Sequence, residues 1–139
     1  MVETIVEGTI NKPILEVFEF VSNLETMIQY NSSIRESKWK KEGSICKIKV
    51  GLSIITFDSE YIITEFTKNK TFTAKCNHFS LDFEDVYEFK EDGNSTILKI
   101  TDRMKLKGIL ALSEGILKKN MKDEMMGNMN RLISILNAR

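Results

Sequence analysis

From Ile34 to Leu106 apolar and polar residues alternate with a period of two, as in strands that bury one face. Turn signals at Lys41-Glu42-Gly43, Gly51-Leu52-Ser53, Lys68-Asn69, Ser80-Leu81 and Asp92-Gly93-Asn94 divide this segment into six strands. Val2 to Ile10 alternates in the same way and predicts a first strand. Between these regions the period changes. Pro13 follows Asn11 and Lys12 and suits the first turn of a helix, and Ile14, Val17, Phe18 and Val21 recur at helical spacing. Ser22 and Glu25 fit an S-x-x-E capping box, which predicts a second short helix from Ser22 to near Tyr30. After Gly108 the helical period returns. Leu110, Leu117, Met121, Met125, Met129, Leu132 and Leu136 fall on one side of a long final helix.

The strand faces must agree with one another around a sheet. With the tightest hairpin at each turn, Trp39 faces Cys46, Cys46 faces Ser59, Ser59 faces His78, His78 faces Phe83, and Phe83 faces Asp102. The same face collects Ile48, Val50, Ile55, Phe57, Tyr61, Ile63, Phe72, Ala74, Cys76, Asp85, Tyr87, Phe89, Leu98, Ile100 and Met104. The other face is mostly Lys, Glu, Asp, Thr and Asn. A shift of two residues in any hairpin leaves this division unchanged. A sheet with one apolar face needs a cover. The final helix is the only element large enough, and the two early helices close one end. The expected fold is therefore α+β: a curved seven-stranded antiparallel sheet wrapped around a long C-terminal helix, in a single domain spanning residues 1–139.

Composition narrows the function. Twenty basic residues balance twenty acidic ones among 139, so no general field attracts nucleic acid or an anionic membrane. No apolar run is long enough to span a bilayer, and Met1-Val2-Glu3 does not open a signal peptide, so the expected location is the cytoplasm. Cys46 and Cys76 lack metal-site spacing and read as reduced, buried thiols. No P-loop, dinucleotide fingerprint or metal cluster is present, and no cofactor is expected.

The order β-α-α-β6-α, with the stretch VEGTINKPILEVFEFVSNLETMIQYNSSI, resembles the helix-grip fold of the START-like or SRPBCC superfamily. Val17 and Phe18 match its early helix, and Asn23 and Tyr30 stand where Asp and Trp are commoner. The last stretch, MKLKGILALSEGILKKNMKDEMMGNMNRLISIL, is similar to the final helix of the polyketide cyclase/dehydrase-like branch. These motifs are structural rather than catalytic. The resemblance implies a deep, mostly apolar cavity for a lipid, a polyketide, a sterol or another hydrophobic molecule.

The candidate ligand-binding residues follow from the inner face. They are Trp39, Ile48, Phe57, Ser59, Tyr61, Ile63, Ala74, Cys76, His78, Phe83, Asp85, Tyr87, Leu98 and Ile100 from the sheet, with Leu117, Met121 and Met125 from the helix. His78, Asp85 and Asp102 are the candidates for acid–base chemistry, with His78 beside one carboxylate acting on a bound carbonyl compound. Against this stand simpler readings. His78 sits near a strand end, at the mouth, and bonds to water or a neighbour, Asp102 points outward at a bulge, and Asp85 bonds to Tyr61 or another pocket hydroxyl. The methionine stripe with Gly115 and Gly127 is compatible with either plain packing or a helix soft enough to act as a gate. Lys118, Lys119 and Lys122 read as a solvated face. Three functions remain in play: a carrier or sensor of a hydrophobic small molecule, a cyclase- or dehydratase-type enzyme, and a protein-interaction module using Ile54, Ile62, Val86 and Ile97. The chain is expected to be a monomer or homodimer, without nucleic acid and without stable membrane insertion.

Overall fold

The computed structural model describes residues 1–52 and 55–139. Seven strands occur, β1 (Val2–Ile10), β2 (Ile34–Lys41), β3 (Ile45–Leu52), β4 (Ile55–Thr67), β5 (Thr71–Asn77), β6 (Leu81–Asp92) and β7 (Ser95–Leu106). Helix α1 (Ile14–Ser22) and a tight 3-10 turn (Leu24–Gln29) separate β1 from β2. A second 3-10 segment (Gly108–Ser113) leads into helix α2 (Glu114–Asn137). All strand pairs are antiparallel, in the order β1-β7-β6-β5-β4-β3-β2. This is the expected α+β helix-grip architecture.

The face assignment holds because three wrong hairpin registers are wrong by two residues. Trp39 does face Cys46, but Cys46 faces Tyr61 rather than Ser59. Phe83 faces Cys76 rather than His78, and Met104 rather than Asp102. A slip of two keeps every side chain on its face. It changes which side chains are neighbours, and for the acids that difference is decisive. The sequence pattern puts Asp85 and Asp102 on different rows; they lie directly opposite one another across β6 and β7. Asp102 does not point outward at a bulge. It is buried on the inner face, with only 5% of its surface exposed.

The second early helix also differs from expectation. Ser22 ends α1, and the cap of the following turn is Asn23, whose side chain accepts from the Glu25 N–H at 3.2 Å. Glu25 is then free to accept the Trp39 N–H from β2 at 2.8 Å, so the expected capping-box acid ties the turn to the sheet. The final helix starts at Glu114, later than the apolar pattern suggests, because Gly108 takes a positive φ of 60° and the chain first makes the 3-10 segment.

The outer face carries a cross-strand row of charge. Lys75 and Glu84 are 3.1 Å apart, Glu84 and Arg103 3.4 Å, and Arg103 and Glu3 2.8 Å. These pairs are exposed and contribute little each, but they keep that face wet. Ile62 is exposed there and Val86 and Ile97 are half-buried, spread among polar neighbours. Ile54 lies outside the described residues.

Inside, α2 is fixed mainly by its C-terminal half. Met129, Leu132 and Leu136 are fully buried. Each such side chain contributes about 1.5–3 kcal/mol. β1 comes close enough that a Cβ on Gly8 would lie 2.8 Å from Met129 Cγ. At the other end the grip loosens. Leu117 and Met121 are half-buried, while Ile109, Leu112 and Ile116 stand 83%, 87% and 69% exposed. Gly115 has open space where a Cβ would be, and Gly127 only the tip of Arg131. Neither glycine marks a close approach.

Candidate ligand cavity

The inner faces of β1, β2, β3, β6 and β7 and helix α2 line a partly open cavity of about 90 Å³. Phe83, Asp85 and Tyr87 line it from β6, Ile100, Asp102 and Met104 from β7, and Met121, Met125, Met129 and Leu132 from α2. Val6, Val50, Ile34 and Tyr30 complete the apolar wall. Asn31, Ser33, Glu124 and Asn128 form a polar rim. There the loop after the 3-10 turn is latched to the helix. The Ser32 N–H donates to Asn128 Oδ1 at 3.1 Å, Ser32 Oγ to Glu124 Oε1 at 3.3 Å, and Asn128 Nδ2 to Asn31 Oδ1 at 3.3 Å. A groove of about 210 Å³ adjoins the cavity, sharing Leu52 and Glu124 with it. It runs under Leu110, Ile116 and Leu117.

The polar groups of the wall form one connected chain. Tyr61 donates its hydroxyl hydrogen to Asp85 Oδ2. The Tyr61 and Tyr87 oxygens are 3.3 Å apart. Tyr61 has no second hydrogen to give, so Tyr87 is the donor in that contact. Asp85 in turn faces Asp102 directly across β6 and β7, and the two carboxyls are placed to bond to one another when a proton lies between them. Two carboxyls in contact in an apolar setting cannot both ionise, so the pair holds a proton between them. Burial and then the charge of Asp85 push the Asp102 carboxyl well above the usual range. Burial also raises Asp85, against the opposing hydrogen bonds from Asp102 and Tyr61. Tyr61 and Tyr87 are raised by burial and by Asp85 and stay neutral. Two buried polar atoms in residues of this wall, Tyr30 Oη and Asp102 Oδ1, receive and give no hydrogen bond among the described N–H and O–H groups.

Other predicted site residues fall elsewhere. Phe83, Asp85, Tyr87, Ile100, Met121 and Met125 line the cavity, and Leu117 lines the adjoining groove. Tyr61 touches the site only through its hydroxyl. Ala74, Cys76 and Leu98 are buried in the packed core, Ile63 is half-buried, and none of the four lines the cavity. Ile48 and Ser59 border a separate, more open groove of about 700 Å³ by β2, lined mostly by polar residues. Trp39 Nε1 donates to Asn23 Oδ1 at 3.1 Å at the sheet edge. Phe57 stacks on His78, with ring centres 4.1 Å apart. His78 lies just past the end of β5, between Phe57 and Phe79, and its Nδ1 accepts the Ser80 N–H at 3.1 Å. Ala74 is the residue opposite Asp85. His78 is four residues further along, about 13 Å at strand rise, so it does not reach either acid. The expected His–carboxylate pair gives way to a carboxyl–carboxyl pair. Burial raises both thiols; Cys46 contacts Ser37 Oγ at 3.1 Å and Cys76 donates to Ser59 Oγ at 3.3 Å. They remain protonated and inert.

Tyr30, Asn31, Glu124 and Asn128 are absent from the sequence-derived set. Tyr30 is visible there as the aromatic before the second strand, but its inward aim depends on the 3-10 turn. The rim residues have no periodic signal to find.

No family model and no curated protein sequence matches the chain. Solved structures do. The protein TTHA0849 of Thermus thermophilus superposes with a TM-score of 0.82 at 15% identity, over 98% of this chain and 97% of that one. A START superfamily protein from Mycobacterium smegmatis gives 0.80 at 12% identity, over 98% and 97%. The di-domain aromatase/cyclase StfQ of steffimycin biosynthesis gives 0.70 at 7% identity, over 99% of this chain and 52% of that one. Among the described residues no helix is long and apolar enough to cross a membrane, and no group of His, Cys, Asp and Glu is arranged to hold a metal ion. The chain thus has the helix-grip fold that its sequence pattern resembles, the fold it shares with these structures.

Proposed function

We propose that this chain binds a hydrophobic small molecule in the cavity beneath α2, for transport or sensing. One observation carries the reading: an apolar hollow of about 90 Å³ with a small, connected set of buried and half-buried polar groups at its wall. A cavity of that composition is the usual form of a ligand site. At about 90 Å³ the inner chamber is smaller than the apolar cavity of about 150 Å³ that accepts a benzene-sized guest, so it suits one end of a longer molecule. The adjoining groove, with exposed Ile116 at its edge, offers an apolar path for the rest. The START protein and the aromatase/cyclase share this fold, which is compatible with the reading and does not select the ligand.

Native mass spectrometry of the purified chain under gentle conditions tests it. The expected result is small-molecule adducts, endogenous or from a panel of apolar compounds, that are lost in Ile100→Trp, where the larger ring fills the chamber. Unliganded protein throughout the panel would contradict it.

The Tyr87–Tyr61–Asp85–Asp102 chain favours a second reading, an acid–base enzyme of cyclase or dehydratase type acting on a bound carbonyl compound. A protonated carboxyl next to an ionised one is suited to donating and recovering a proton. On that reading Asp85→Asn loses turnover while ligand affinity stays. On the carrier reading no turnover is found and affinity responds instead.

A further inference from the structure

Resting on the cavity reading, we propose that the ligand's buried end is a hydrogen-bond donor without negative charge, an alcohol or an amine, and that carboxylates, sulfates and phosphates are excluded.

The wall supplies acceptors in excess. Asp85 and Asp102 offer four oxygens between them, and they share a proton that lies between the two groups. The only other side-chain donor that reaches Asp85 among the described residues is the Tyr61 hydroxyl. Asp102 Oδ1 takes no N–H or O–H from the described residues, though Asp102 is only 5% exposed. A buried acceptor left in this state is a desolvation cost that a donor on the ligand recovers. Tyr30 Oη, also buried without a partner and on a residue of the same wall, gives its hydrogen to an acceptor atom. A hydroxyl both donates and accepts and so answers both groups. An ammonium group answers the carboxyl pair and balances its charge.

The charges of the wall point the same way. Its ionisable side chains besides tyrosine are Asp85, Asp102 and Glu124, and no Lys, Arg or His is among the described residues that line it. An anion seated there would be desolvated without a counter-charge and would face a second negative charge. A fatty acid, carboxylate first, is therefore a poor guest even though its tail suits the apolar chamber.

Three compounds on one compact skeleton separate the cases: cyclohexylmethanol, cyclohexylmethylamine and cyclohexanecarboxylate, with methylcyclohexane as the headless reference. Each is titrated into the full chain near neutral pH and followed by amide chemical shifts. The alcohol and the amine are expected to bind at least about tenfold tighter than the carboxylate. The near-isosteric Asp85→Asn/Asp102→Asn variant is expected to level that ratio. Tyr30→Phe, which leaves the carboxyl pair in place, is expected to weaken the alcohol and spare the methylcyclohexane. Carboxylate binding as tight as the alcohol would overturn the inference and leave the cavity reading standing, as would an unchanged alcohol affinity in Tyr30→Phe. Failure of all four compounds, the hydrocarbon included, would remove the cavity reading and this inference with it.

Discussion

Asp102 is the side chain on which the chemistry of the interior turns. Its carboxyl is protonated more readily in the folded chain than in the unfolded one, chiefly because burial penalises the charge and secondarily because of Asp85. Folding therefore takes up a proton between the ordinary aspartate value, about 3.9, and the raised folded value. The resulting stability is full below the ordinary value and is lost as pH rises through the raised one. Asp102→Asn keeps the shape and removes the titration. Its urea-denaturation stability is expected to be flatter with pH and to exceed that of the parent by about 1 kcal/mol or more near pH 8. Parallel profiles for the two proteins would mean that Asp102 ionises freely in the fold. Tyr61→Phe probes the other side of the pair. It removes the donor that stabilises Asp85 and is expected to cost about 1–3 kcal/mol by the same assay. The Tyr61–Asp85 bond is one of the readings the sequence allows; the pairing of Asp85 with Asp102 is not. Parity placed Asp85, Asp102, Tyr61 and Tyr87 on one face, but only the true register of β6 and β7 makes the acids direct neighbours.

Helix α2 and the 3-10 segment that leads into it form two regions. From Met125 to Leu136 the helix's apolar side is buried, and from Gly108 to Asn120 the chain lies loosely over the groove. The 3.6-residue period reports which side of a helix faces inward. It does not report how firmly that side is held, so the uniform Leu and Met stripe concealed the change. The turn at Gly108 was similarly hidden, since a 3-10 segment and a first helical turn share most of their pattern. Amide hydrogen exchange is expected to be faster in 108–120 than in 125–136, and a bound ligand should slow the first region selectively. Equal protection of both regions, with and without ligand, would exclude a gate there. The rim latch gives a second expectation. Asn128→Ala removes the bonds to Ser32 and Asn31 and should raise the ligand dissociation rate about threefold to tenfold in stopped-flow displacement, with a smaller effect on association.

For the molecule as a whole, architecture was far more legible than site. Alternation along 73 residues from Ile34 to Leu106 carries redundant information about the sheet, and an error of two in a hairpin leaves it intact. A cavity is a remainder, the space that packing does not fill. Ala74, Cys76 and Leu98 face inward like Phe83 and Ile100, yet they meet neighbours and are sealed in the core. No one-dimensional pattern separates those two fates. The curved sheet, the helix anchored at one end and the polar pair in the wall combine into one physical claim: the space under α2 admits an apolar guest.

Methionine-methyl NMR tests that claim most directly. Met104, Met121, Met125 and Met129 line the cavity, whereas Met1 is exposed at the surface and Met27, in the early 3-10 turn, is buried outside the cavity wall. With ¹³C-methyl methionine and a neutral apolar titrant such as methylcyclohexane, the four cavity methyls are expected to shift together and saturably, with Met1 and Met27 unmoved. Four unmoved cavity methyls at saturating titrant, or shifts confined to Met1, would contradict the account.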